Sequence, residues 1–188
     1  HPYGFRLLYP SYQSYDPTIG RCSGELPGIF ENGAVYNHGC AFFLHALWKA
    51  GRYADTWKYL QPMLPDSEAN PSDRTGAEPY VLTNCIFTEE ARHRKGTCRS
   101  GWWTGTAGWI LRLVHDEMTG LHPEFDGLYV YPERIVLNMK ITEVNRFFRG
   151  TRYNVRYQTG HKSEVLVNGK LHNLQHPLPV VPGESVKI

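Results

Sequence analysis

The chain has 188 residues, 41% of them hydrophobic, which is enough for one sizeable core or two small ones. Lys and Arg number 20 against 18 Asp and Glu, so the nearly balanced charge gives no electrostatic footprint for a nucleic acid or an acidic membrane. No apolar run is long enough for a membrane-spanning helix, and no secretory signal opens the sequence.

The sequence starts at His1-Pro2-Tyr3 without a Met and already reads as mid-protein, so a fragment or processed product is expected. Cysteines stand at 22, 40, 85 and 98 with no C-x-x-C pair, which points to reduced thiols and a cytoplasmic protein rather than to zinc or a disulfide scaffold. Aromatic content reaches 13%. Such rings serve sugar clefts and ordinary cores alike.

Residues 1–35 are rich in Gly, Pro, Ser and Tyr and read as loops. From Cys40 to Ala50 the run CAFFLHALWKA is apolar on nearly every face, predicting a helix buried on all sides. Gly51 is placed to end it in the left-handed conformation. A second helix is expected from about Ala54 to Leu60, with Trp57 and Leu60 on one face and Pro62 and Pro65 stopping it. Residues 65–78 form a polar loop. A short apolar segment then runs to Phe87, and the basic stretch Arg92 to Arg99 follows, with His93-Arg94-Lys95 read as a solvated loop.

A third helix is expected from near Thr104-Gly105 to about Met118, with Trp109, Ile110, Leu113 and Val114 along one stripe and Gly120 closing it. Beyond Pro123 the period changes. Tyr153, Val155 and Tyr157 alternate with Asn154 and Arg156, and Asn168-Gly169 is a strong hairpin signal because both residues accept positive φ. An all-helical part over 1–125 followed by an antiparallel β part over 126–188 is the expected organisation.

Three stretches could carry chemistry. In Glu31-Asn32-Gly33-Ala34-Val35-Tyr36-Asn37-His38-Gly39, a His at a helix entrance can donate to an anion beside unpaired backbone N–H groups. It can equally cap its own helix. In Gly101-Trp102-Trp103-Thr104-Gly105-Thr106, a Thr-Gly pair opening a helix offers a hydroxyl and a bare amide that a ligand oxygen can approach closely. The ordinary alternative is an N-cap Thr with a close-packing glycine. Trp102 or Trp103 could stack on a sugar. In Glu78-Pro79-Tyr80-Val81-Leu82-Thr83-Asn84, Asn84 offers both donor and acceptor to hydroxyls, and Glu78 a carboxylate.

Taken together and in order, these stretches resemble glycoside hydrolase family 94, the disaccharide phosphorylases. The matching text is ENGAVYNHG (31–39), GRYADTWKYLQPMLP (51–65), EPYVLTN (78–84), WWTGTAGWILR (102–112) and TGLHPEFDGLYVYP (119–132). RFFRGTRYNVRY (146–157) and VNGK (167–170) look like the family's C-terminal β segment.

The resemblance implies the C-terminal part of an (α/α)6 catalytic barrel over 1–125 and a β-sandwich-like domain over 126–188, in a protein that forms homodimers. It implies inverting phosphorolysis of a β-linked disaccharide or oligosaccharide, with inorganic phosphate as a substrate and no metal or organic cofactor. His38, Thr104 and Gly105 look like the family's phosphate-binding residues. Asn84 stands where some members carry a Gln on the donor sugar, and Phe30 where some carry a Lys before the ENG motif. Glu78 and Trp103 join Asn84 as sugar-binding candidates. None of Asp55, Asp66, Asp73, Asp116 or Asp126 matches the family's general acid, which is expected upstream together with an Arg of the phosphate site. The 188 residues alone are therefore expected to be inactive. The rival readings are a hydrolase on the same barrel, which needs a second carboxylate to activate water, and a non-catalytic carbohydrate-binding module.

Overall fold

The computed structural model describes residues 1–66, 68–101, 103, 105–135, 142–160 and 164–188. Its internal contacts divide into two compact units, His1–Leu111 and Arg112–Ile188. Helix and sheet are mixed throughout, as in an α+β protein. Among the described residues no helix is long and apolar enough to cross a membrane.

In the first unit, α1 (Arg21–Gly24) is a single turn within the stretch expected to be loop. Strand β1 (Val35–Tyr36) runs directly into α2 (Asn37–Lys49). Asn37, Cys40, Ala41, Leu44, Leu47 and Trp48 form the buried stripe of α2, at the spacing one helix face requires. The expectation of burial on all sides is corrected here, because Phe42 and Phe43 remain 48% and 42% exposed on the other face. Hydrophobicity of a sequence run does not say how many neighbours cover it.

Gly51 takes φ 74, and the N–H groups of Gly51 and Arg52 close the helix on Trp48 O and Leu47 O, both at 2.9 Å. Helix α3 (Tyr53–Leu60) buries Thr56 and Leu60 and leaves Trp57 half-buried; a 3-10 turn at Gln61–Met63 containing Pro62 ends it. A further single turn, α4 (Ser72–Thr75), lies in the polar loop.

This unit is not all-helical, which corrects the second expectation. Strands β1, β2 (Thr83–Ile86) and β3 (Cys98–Gly101) make an antiparallel sheet in that order, with Tyr36 opposite Cys85 and Thr83 opposite Gly101. Two to four residues are too few to show an alternating pattern in sequence. Residues Glu89–Arg94 form a 3-10 turn rather than open loop. Lys95 Nζ there lies 3.3 Å from Glu89, and the Arg94 guanidinium covers the Phe87 ring at 4.8 Å.

Helix α5 (Thr106–Leu113) buries Ile110 and leaves Trp109 half-buried. The boundary between the two units falls inside it. Its expected extension to Met118 continues as π-helix over Val114–Met118, and the Thr119 N–H reaches back to Val114 O at 3.2 Å. Gly120 at φ 72 ends the element.

In the second unit β4 (Leu121–Pro123) and β5 (Leu128–Val130) pair antiparallel across the seam expected at 125/126. Strands β6 (Glu143–Phe148) and β7 (Thr151–Arg156) pair antiparallel, and β10 (Ser185–Lys187) joins β7 in parallel. Thr151, Tyr153 and Val155 face inward, while Arg152 and Arg156 face solvent. Asn168 and Gly169, at φ 50 and 80, form the turn between β8 (Leu166–Val167) and β9 (Lys170–Leu171). The core here is Leu121, Leu128, Val130, Tyr153, Val155, Val165, Leu178 and Val186. The Tyr153 hydroxyl is satisfied by Pro179 O at 2.9 Å. Burying one such aliphatic side chain contributes about 1.5–3 kcal/mol.

Candidate functional site

The ENG segment is a packed turn. Gly33 adopts φ 93 with Ser11 Oγ directly over it, so no side chain fits there. Asn32 is fully buried; its amide donates to Tyr12 O at 2.9 Å and Glu25 O at 2.7 Å, and its oxygen accepts from the Tyr12 N–H at 2.7 Å. That turn delivers β1, and β1 places Asn37 and His38 in the first turn of α2. Asn37 Nδ2 donates to Thr83 O at 2.9 Å, tying the helix start to β2.

His38 Nε2 is buried and has no hydrogen-bond partner among the described residues. A methyl group built on Gly105 would stand 3.4 Å from it. The start of α2 and the start of α5 therefore meet at these two residues. Thr104 lies outside the described residues, as does Trp102. Phe42, one turn after His38, packs its ring 4.8 Å from the imidazole and 4.9 Å edge-on from Trp109. His45, nearly a turn further along, donates from Nε2 to Trp109 O at 3.0 Å.

The sugar-binding candidates lie differently. The β1–β2 register brings Asn84 to the point where β1 passes into α2, and Asn84 Oδ1 is buried without a partner among the described residues. Glu78 is exposed, its carboxylate 3.4 Å from where a methyl on Gly101 would stand. Trp103 is 80% exposed. The described contacts join none of these three to His38 or Gly105. A hollow lined by Met63, Asn70, Thr75, Glu78, Val81 and Thr83 has neither His38 nor Gly105 in its wall.

Two residues that sequence reasoning passed over carry polar atoms of the same kind. Among the described residues Glu31 Oε2 and Asn37 Oδ1 are buried and unpartnered, as are His38 Nε2 and Asn84 Oδ1. Buried polar atoms are normally paired, so such atoms mark where water or a ligand completes the structure. The signal was in the motif itself, since Glu31 and Asn37 stand in ENGAVYNHG. The thiols are a different matter: burial pushes Cys85 up to about 12 and raises Cys40 and Cys98, which makes them packing groups rather than nucleophiles.

Comparison with known proteins bears on the family. A profile described as "Glycosyl hydrolase 94 superfamily, catalytic domain" matches residues 1–120. The chain is 41% identical over 152 residues to a solabiose phosphorylase of Paenibacillus borealis, covering 81% of the chain and 20% of that protein. It is 30% identical over 192 residues to a cellobionic acid phosphorylase of Neurospora crassa, covering 100% of the chain and 24% of that protein. An N,N'-diacetylchitobiose phosphorylase of Vibrio proteolyticus is 29% identical over 157 residues, covering 84% and 19%. The chain thus spans about a fifth to a quarter of the length of these relatives. It belongs to the glycosyl hydrolase 94 superfamily.

Proposed function

We propose that the chain is part of an inverting β-glycoside phosphorylase and carries the phosphate-binding half of its active site. In the whole enzyme an oxygen of inorganic phosphate attacks the anomeric carbon as the glycosidic C–O bond breaks. A general acid from elsewhere in the protein protonates the leaving oxygen. The products are an α-sugar 1-phosphate and the shortened sugar. Phosphate replaces the activated water of an inverting glycosidase, so no protein base is needed.

The observation that carries this reading is the buried His38 Nε2 facing Gly105, unpartnered among the described residues. An N–H donor and a side-chain-free backbone opposite each other suit an oxyanion, which needs donors at close range and room to approach. Thr104, which precedes Gly105 in the sequence, is assigned the supporting hydroxyl. Holding phosphate here in line with the sugar supplies orientation without consuming its reactivity. Asn84, Glu78 and Trp103 serve the sugar. Relatives acting on solabiose, cellobionic acid and N,N'-diacetylchitobiose support a β-linked disaccharide or oligosaccharide as substrate.

The same reading gives residues 1–125 to an (α/α)6 barrel and 126–188 to a β-sandwich-like domain of a cytoplasmic homodimer. No Asp of the chain is assigned the acid role, so the 188-residue polypeptide by itself is inactive. The test is incubation of β-linked disaccharides with phosphate, using the polypeptide and the longer protein that contains it. Sugar 1-phosphate should form only with the longer protein and only when phosphate is present. Phosphate-independent cleavage would point to a hydrolase instead.

A further inference from the structure

We propose that Trp109 supplies a second side-chain N–H to the phosphate, its indole nitrogen acting together with His38 Nε2 across the space that Gly105 leaves open. The proposal rests on the phosphate reading of His38 and Gly105.

A methyl on Gly105 would stand 3.4 Å from His38 Nε2, 3.4 Å from Trp109 Cδ1 and 3.5 Å from Trp109 Nε1. Two ring nitrogens from different helices therefore converge on one point beside a residue with no side chain. A ligand oxygen cannot occupy that point, which lies a bond length of about 1.5 Å from the Gly105 Cα; it rests further out, against the side-chain-free backbone and between the two rings. The helix itself sets the convergence. The Trp109 N–H donates to Gly105 O at 3.0 Å, so the indole sits one turn beyond the glycine.

Phe42 fixes the two rings relative to each other, since it touches both the imidazole and the indole. His45 holds the Trp109 carbonyl from the same face of α2. The indole N–H is a donor only and keeps its proton throughout the accessible pH range. It can recognise a lone pair on an oxyanion and add no charge, so it positions the nucleophile without neutralising it. Trp109 lies on the stripe expected to be core, yet it is only half-buried.

The experiment is titration of inorganic phosphate into the 15N-tryptophan- and 15N-histidine-labelled chain. Signals are assigned with Trp109→Phe and His38→Ala. The expected result is a saturable shift of the Trp109 indole N–H with the same midpoint as the His38 ring, and roughly tenfold weaker phosphate binding in Trp109→Phe. A phosphate shift at His38 with an unmoved Trp109 signal and unchanged affinity in Trp109→Phe overturns the proposal and leaves the His38 assignment standing. Phosphate that moves neither ring overturns both. Sequential assignment of the wild-type chain identifies the same two signals without either variant, so the reading does not depend on how well the variants fold.

Discussion

His38 Nε2 stands 3.4 Å from the point a methyl group on Gly105 would occupy, a distance of ordinary van der Waals contact. Alanine at 105 therefore fits the fold and fills the volume that the proposed function gives to a phosphate oxygen. Gly105→Ala should leave the melting temperature within a few degrees, because the lost N-cap preference and the gained chain stiffness are small and opposed. In the longer enzyme the same variant should raise the KM for phosphate about tenfold or more with a smaller effect on the sugar KM. Thermal unfolding and initial-rate kinetics check the two halves separately.

Gly33 is the contrasting glycine. Its φ of 93 and the Ser11 oxygen lying over it leave no room for a side chain. Gly33→Ala should destabilise the chain by about 2 kcal/mol or more, from backbone strain and collision together. Urea unfolding of the two polypeptides measures it, and equal midpoints would contradict the packing described for the ENG turn.

What the sequence made legible was local. Asn168-Gly169 announced a turn and Gly51 a helix end because their backbone chemistry is decided by the residues themselves. The inward alternation of Tyr153 and Val155 was readable because β7 is long enough to show its period. The sheet of β1, β2 and β3 was not, since its strands are short and pair across long stretches of chain. Nor could hydrophobicity show that Phe42 and Phe43 stay uncovered. The meeting of His38 with Gly105 is a tertiary fact; only the family resemblance, and no spacing, joined those two residues beforehand. Glu31 and Asn37 stand in the ENGAVYNHG stretch, but the letters do not tell which of its polar atoms end up buried and unpartnered.

In the second unit Arg146 is the buried ion to test, its side chain 6% exposed. It donates to Asp116 Oδ1 at 2.7 Å and to His115 O at 3.0 Å, and it meets the His115 ring. Arg146→Ala leaves the Asp116 carboxylate largely buried without its cation, so a loss of about 3 kcal/mol is expected. Replacement by Met, which fills the same volume, should recover no more than the packing share of that loss. Denaturant midpoints of the three proteins decide it.

Alkaline pH should loosen the first unit. Cys85 is held protonated up to about 12 by burial, against an ordinary value near 9. Between those values the unfolded chain releases the proton while the folded chain retains it, so stability falls as pH rises. Its contribution is fully present below pH 9 and is lost progressively toward 12. Cys40 and Cys98, also raised by burial, act in the same direction. Unfolding midpoints from pH 8 to 11 should drop faster in the wild type than in Cys85→Ala. Parallel curves would show that Cys85 does not contribute.

The central claim is that His38 binds phosphate rather than sugar. The most direct measurement is the steady-state phosphorolysis rate of the longer enzyme carrying His38→Ala, varied separately in phosphate and in its disaccharide. The expected result is a phosphate KM raised by roughly ten- to a hundredfold, the equivalent of about 1.4–2.7 kcal/mol, with the disaccharide KM little changed. An unchanged phosphate KM together with a raised disaccharide KM would contradict it.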